Sequence, residues 1–159
     1  MEVLTHPQVR LATREDATSL VPLIHRVLRV SNTPDYGFEN VERVVGHFTG
    51  EGLEEMIDRN YTLVAECDGI LVGTASLGTS STLKDIAIRS FFVDPNLQRR
   101  GIGALLLAHI EAQARQDGLE ILPVRSSLAG QPFYAAQGYV AIEDIWDGEE
   151  QTIRMEKWL

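Results

Sequence analysis

Six consecutive residues hold the densest chemistry in this chain: Gln98-Arg99-Arg100-Gly101-Ile102-Gly103. An apolar run closes just before them at Val93-Asp94-Pro95, and an apolar-periodic stretch follows, carrying Ile102, Leu105, Leu106, His109 and Ile110 on one stripe. The first amides of a helix have no partner inside it, and the aligned peptide dipoles leave partial positive charge there. Glycine at 101 and 103 removes the Cβ atoms that would hold a ligand off those amides. Arg99 and Arg100 bring two full charges to the approach. Such a corner binds phosphate or pyrophosphate. A tight strand-to-helix turn would also use the glycines. It would not call for two adjacent guanidinium groups on a chain of formal net charge -9.

Two common phosphate binders do not fit. The loop Gly-x-x-x-x-Gly-Lys-Ser/Thr is absent, and Leu106 stands where Gly-x-Gly-x-x-Gly needs its third glycine. Metal chemistry is not expected either, because none of His6, His25, His47 and His109 pairs with another ligand type at metal-binding spacing. His109 falls on the apolar stripe and reads as a core histidine; His25 and His47 read as surface residues. Cys67 lies in the apolar run Leu63–Cys67 and reads as a packed thiol.

The acidic balance argues against nucleic acid and anionic membrane as partners, since both select basic faces. No apolar run approaches the ~18 residues needed to span a bilayer. Met1–Pro7 has no charged segment followed by an apolar one, so no leader is expected. With Cys67 as the single cysteine, a cytoplasmic setting is expected.

The elements that must position the corner follow from periodicity. Val9–Ala12 alternates as a strand, and Thr13 with Asp16 opens a helix that runs to about Val30. Ser31–Phe38 is turn-rich. Helical spacing returns over Glu39–Phe48 and Leu53–Asn60. Tyr61–Cys67 and Ile70–Leu77 flank Asp68-Gly69, a hairpin signal, with Gly78–Thr82 as a loop. Asp85–Val93 is a strand, Gly101–Gly118 the long helix and Ile121–Ser126 a further strand, together a βαβ unit. Gly130–Gln137 reads as a short helix, and Tyr139–Ile142 with Thr152–Met155 as closing strands around an acidic turn. No repeat or linker interrupts residues 1–159, and with 44% apolar residues they read as one domain.

Gln98-Arg99-Arg100-Gly101-Ile102-Gly103 resembles the Gln/Arg-x-x-Gly-x-Gly/Ala signature of the GNAT N-acyltransferases. Strand, signature, long helix and strand stand in that family's order. Pro132-Phe133-Tyr134-x-x-x-Gly138-Tyr139 is similar to its Phe-Tyr-x-x-x-Gly-Phe element. The resemblance implies an α/β fold of the α+β mixed-sheet kind. A central, mostly antiparallel sheet of about six to seven strands would be flanked by about four to five helices.

It further implies an acetyl-CoA-dependent N-acetyltransferase acting on a primary amine by direct transfer in a ternary complex. The amides of Arg100, Gly101, Ile102, Gly103 and Ala104, with Gln98 and Arg99, would hold the pyrophosphate. Phe92 and Val93 would offer backbone groups to the pantetheine arm, which needs the sheet to splay beside them. Phe133 would wall the coenzyme, and Tyr134 would protonate the departing thiolate. The family's glutamate on the strand before the signature is replaced by Ala87, and its asparagine near the coenzyme by Ala129. The base is therefore left to a water relay, to an amine arriving neutral, or to Asp85. By the resemblance the turn 31–38 would roof the acceptor, with Tyr36 and Phe38 as walls and Asp35 or Glu39 drawing an ammonium. Trp146 in the acidic run points to a homodimer contact. The alternative function is a coenzyme A-binding sensor without catalysis.

Overall fold

The computed structural model describes residues 6–159; Met1–Thr5, part of the stretch read above for a leader, lie outside them. The strands are β1 (Gln8–Leu11), β2 (Tyr61–Cys67), β3 (Ile70–Ser80), β4 (Asp85–Val93), β5 (Ile121–Ser126), β6 (Val140–Asp147) and β7 (Glu150–Trp158). They form a single seven-stranded sheet in the order β1-β2-β3-β4-β5-β7-β6. Every neighbouring pair is antiparallel except β4 and β5, which run parallel.

The helices are α1 (Ala17–Ser31), α2 (Thr33–Tyr36), α3 (Phe38–Val45), α4 (Gly50–Arg59), α5 (Ile102–Gln116) and α6 (Gln131–Ala136). The mixed fold is as expected, with one helix more. Pro34 presets the φ of a first helical turn, so the turn-rich segment closes as the single-turn α2 before Gly37 breaks it at φ +81°.

Alternation along the strands divides the core. Leu63 and Ala65 of β2 face a cluster with Leu106 and Ile110 of α5, Leu122 and Met155, whereas Val64 between them faces Leu20, Ile24 and Leu53 of α1 and α4. Helices α1, α3 and α4 thus cover one face and α5 the other. The β2–β3 hairpin turns through Asp68 at φ +52° and Gly69 at φ +79°, the two left-handed residues of a tight primed turn.

Three elements differ from the sequence reading. Strand β3 runs on through Gly78–Ser80, which pair with Asp85–Ala87 rather than looping free. Strands β6 and β7 are longer than expected, so Glu143 and Asp144 lie in a strand and the turn narrows to residues 148–149. His109 is exposed, with Nδ1 against the Leu105 carbonyl at 2.9 Å, and Leu107 takes the buried place. The stripe of α5 is wider than one histidine-bearing line, because its neighbours Leu106, Leu107 and Ile110 already fill the space over the sheet.

Helix α5 approaches the sheet over Gly73 of β3. A Cβ there would lie 3.0 Å from Leu106 Cδ1 and 3.2 Å from the Phe92 carbonyl oxygen. The missing side chain sets how closely the start of α5 sits beside β4. Gly73→Val is expected to cost about 1–3 kcal/mol of stability, read as a lower urea midpoint at unchanged slope. A variant as stable as the parent would show that α5 is not seated on this glycine.

Candidate active site

The two central strands part almost as soon as they meet. Strand β4 shares one register pair with β5, Ile88 with Val124. Just beyond it β4 bulges: Thr74 faces Phe92 while Ser76 faces Arg89, so Ser90 and Phe91 together stand opposite Ala75. Ser90 adopts φ +49°, left-handed for a non-glycine residue. The bulge turns β4 away, and from Arg89 to Val93 its edge toward β5 has no strand partner among the described residues. Backbone N–H and C=O groups on such an edge require an acceptor or donor from elsewhere.

The chain then passes Asp94, whose carboxylate accepts from Asn96 N at 2.9 Å and is also met by the Arg26 guanidinium. Arg26 therefore neutralises the acid nearest the corner. Gln98, Arg99 and Arg100 follow, all exposed, and neither arginine has a carboxylate partner among the described residues. Gln98 Nε2 reaches back to the Val93 carbonyl at 3.5 Å, a loose contact that another donor can replace.

The two glycines have separate duties. Gly101 is the N-cap of α5 at φ +83°, with nothing within 4 Å of where a Cβ would stand. It makes the left-handed turn and leaves open space over the free amides of the first helical turn. Gly103 is different: a Cβ there would lie 3.1 and 3.2 Å from the Phe133 ring. Its bareness serves the packing of α5 on α6 rather than a ligand directly.

Phe133 belongs to an aromatic cluster that joins β4 to α6. Its ring centroid is 5.5 Å from Phe91 and 5.3 Å from Tyr134; Tyr134 in turn lies 5.8 Å from Phe91 and 5.6 Å from Tyr139. Tyr134 is buried, and its hydroxyl has no hydrogen-bond partner among the described residues. Burial pushes its phenol above the ordinary 10.0, so it stays protonated throughout the neutral range. Tyr139 is held in turn: its hydroxyl donates to Glu111 Oε1 at 3.0 Å, and Lys157 Nζ meets both oxygens of that buried carboxylate at 3.0 and 3.1 Å.

Strand β4 thus brings Phe92, Val93 and the Gln98–Ala104 corner together, and α6 brings Phe133 and Tyr134 beside them. On the opposite face Phe92 meets the Phe48 ring edge-on at 5.5 Å. Asp85 lies at the far end of β4, 3.8 Å from the Arg154 guanidinium. Tyr36 and Phe38 come from α2 and the start of α3. The Tyr36 hydroxyl donates to the Gln151 carbonyl at 2.7 Å and accepts from Leu128 N at 3.0 Å, and Phe38 is 70% exposed. Neither lines the cleft of about 260 Å³ that opens beside the bulge, which is walled by Phe48, Leu53 and Met56 and edged by His47, Arg59, Arg89 and Ser90. Sequence reasoning missed this cleft and the bulge. Only the structure shows that Ile88 and Phe91 both face the α5 side, an odd spacing that strict alternation forbids.

Residues 32–156 match the family model described as an acetyltransferase (GNAT) domain. In structure the chain is similar to the GCN5-related N-acetyltransferase of Rhodopseudomonas palustris, at 26% identity and TM-score 0.86, covering 100% of this chain and 99% of that one. It is similar also to the PaiA N-acetyltransferase of Thermoplasma acidophilum, solved in complex with coenzyme A, at 19% identity and TM-score 0.85, covering 98% and 100%. N-acetylglutamate synthase of Neisseria gonorrhoeae, solved with coenzyme A and N-acetyl-glutamate, gives 24% identity and TM-score 0.69 over 98% of this chain and 35% of that one. No curated protein sequence matches the chain.

Gly103→Ala should drive the Phe133 ring from its place, whereas Phe133→Leu opens room for the added methyl. The two substitutions are expected to couple by about 1 kcal/mol, the double variant being more stable than the sum of the singles. Additive losses would mean that the glycine and the ring do not compete for one space.

Proposed function

The chain belongs to the GNAT acetyltransferase family, and from that premise we propose that it moves an acetyl group from acetyl coenzyme A directly to a primary amine bound in the same complex. The observation that carries this reading is the conjunction of an unpaired β4 edge with a bare, positively charged start of α5. The residues fit the coenzyme chemically. Open space above Gly101, the free amides of Ile102, Gly103 and Ala104, and the unpaired Arg99 and Arg100 suit a pyrophosphate. Gln98 stands at the rim of that cradle. The backbone of Phe92 and Val93 suits the amides of a pantetheine arm, which would take the place of a missing strand. Phe133 forms the apolar wall.

When bound, acetyl coenzyme A supplies an activated thioester carbonyl. The open β4 amides beyond Ile88 then donate to the oxygen on which negative charge grows during attack. Tyr134 keeps its proton through the neutral range and delivers it to the departing sulfur, and the proton that the attacking amine gives up restores the phenol. No acyl-enzyme is needed. Cys67, the single cysteine, sits at the β2–β3 hairpin with its thiol pushed up by burial, unsuited to nucleophilic attack.

The same reading treats residues 1–159 as one domain working in the cytoplasm without a metal ion. It also takes the edge strand β6, which exposes Val140, Ile142 and Trp146, as the contact of a homodimer.

Gly101→Glu places a carboxylate in the cradle at a position that also resists φ +83°. Calorimetric titration should show coenzyme A affinity lost by at least about a hundredfold; retained affinity would move the site elsewhere. Tyr134→Phe should lower kcat by about 10²-fold or more with KM for acetyl coenzyme A nearly unchanged. In the parent, burial puts the Tyr134 titration above its ordinary 10.0, so this phenol contributes no alkaline loss of rate below about pH 10. An unchanged kcat in Tyr134→Phe would remove its acid role. Coenzyme uptake with no thiol release on any amine would replace the enzyme with a sensor.

A further inference from the structure

The chain has 23 acidic residues against 14 lysines and arginines, so a basic side chain without a carboxylate neighbour is the exception. Among the described residues those exceptions are Arg59, Lys84, Arg89, Arg99, Arg100 and Arg125. Arg99 and Arg100 form the phosphate corner. Arg125 is engaged by the hydroxyls of Thr152 and Thr82. Arg59 and Arg89 come from different elements, the end of α4 and the middle of β4, and both edge the cleft that opens at Ser90. His47 joins them, and among the described residues Glu55 is the only acid in its lining.

We propose that the amine accepted here carries a carboxylate, gripped by Arg59 and Arg89, and an apolar side chain seated on Phe48, Leu53 and Met56. This rests on the transferase reading above and narrows it to a substrate of amino-acid type. Arg89 donates one Nη1 hydrogen to the Thr79 carbonyl at 2.9 Å, which steadies the guanidinium while leaving further N–H groups for a ligand. Paired guanidinium groups are the side chains best matched to a carboxylate. Arg59 also suits the negative end of α4, but a helix dipole calls for one cation, not for two arginines from separate elements and an imidazole.

The position fits as well. The cleft meets β4 at the bulge, where the strand's open edge begins, so an amine whose acid group is anchored on the arginines lies toward the edge that receives the thioester. At about 260 Å³ the cleft falls just under the range of those that enclose drug-sized ligands, which is a size for a small metabolite. A di- or polyamine would set its second cation against two guanidinium groups and is rejected.

The test uses the full chain in calorimetric titrations with N-acetyl-L-leucine and N-acetyl-L-leucinamide as probes, the two differing in charge and little in shape. The acid should bind at least about tenfold tighter than the amide. Arg59→Gln and Arg89→Gln should each collapse that preference, with Arg59→Lys and Arg89→Lys restoring part of it; unfolding temperatures within a few degrees of the parent exclude misfolding as the cause. Equal affinity for acid and amide, no binding of either, a preference that survives both Gln variants, or tighter binding of putrescine than of the acid would overturn the proposal. Coenzyme A titration and thiol release on the same preparation read the transferase assignment independently. Uptake of the coenzyme without discrimination between acid and amide would sink the carboxylate site alone.

Discussion

A peptide backbone cannot leave a row of N–H and C=O groups unanswered inside a folded domain, and the separation of β4 from β5 creates such a row. One register pair joins the strands at Ile88 and Val124, and the bulge at Ser90 and Phe91 then turns β4 aside. The left-handed φ of Ser90 is a conformational cost held in place by the pairing on its other flank, where β3 runs the whole length of β4. The cost obtains an edge that a linear, amide-bearing ligand can complete. Everything proposed for the site hangs on that edge: the corner at α5 lies at its end, the aromatic cluster joins its strand to α6, and the cleft opens where it begins.

The charges are arranged around it with little waste. A strongly acidic chain tends to quench its cations, and most of the arginines here do lie against carboxylates. Arg26 is spent on Asp94, an acid just before the proposed phosphate corner in the chain. Of the cations without a carboxylate partner among the described residues, Arg99 and Arg100 stand at the corner after β4 and Arg59 and Arg89 at the cleft beside its middle, while Lys84 precedes β4 and Arg125 lies on β5. Such ion pairs contribute little to stability when exposed, so their placement is better understood as control of where positive potential remains.

Much of this was legible beforehand. The strands β2, β4 and β5 fall where alternation and apolar runs put them, and the hairpin at Asp68-Gly69 follows from turn chemistry alone. The corner was legible because free amides, glycines and arginines are local features. What was not legible depended on tertiary contact. Gly103 looked like a second ligand-facing glycine until the Phe133 ring was found against it. His109 looked buried because a helical stripe tells which side a residue is on but not how wide the covered band is. The bonds that join the Tyr36 hydroxyl to Gln151 and Leu128 across the structure have no local sequence mark. The cleft drew its arginines from segments thirty residues apart in the numbering (59 and 89), which no periodicity links.

Helix α5 also keeps the two ends of the proposed reaction in register. Gly101 opens α5 and Glu111 lies on the same helix, between two and three turns farther on at about 3.6 residues per turn. Glu111 is a buried carboxylate made tolerable by Lys157 and the Tyr139 hydroxyl. The Tyr139 ring, so fixed, packs on the Tyr134 ring at 5.6 Å. Helix α5 therefore carries the proposed anion cradle at its head and, through one buried hydrogen bond, the support of the proposed acid farther along. A buried ion pair is a poor way to add stability, since an apolar replacement of similar volume often does as well. It is a good way to hold one geometry, because a carboxylate whose partners stand at 3.0 and 3.1 Å cannot slide along them as a methyl group could. In the proposed site, where phosphate and departing sulfur would belong to the same molecule, a rigid helix that sets the distance between their two receptors has a reason to contain that acid.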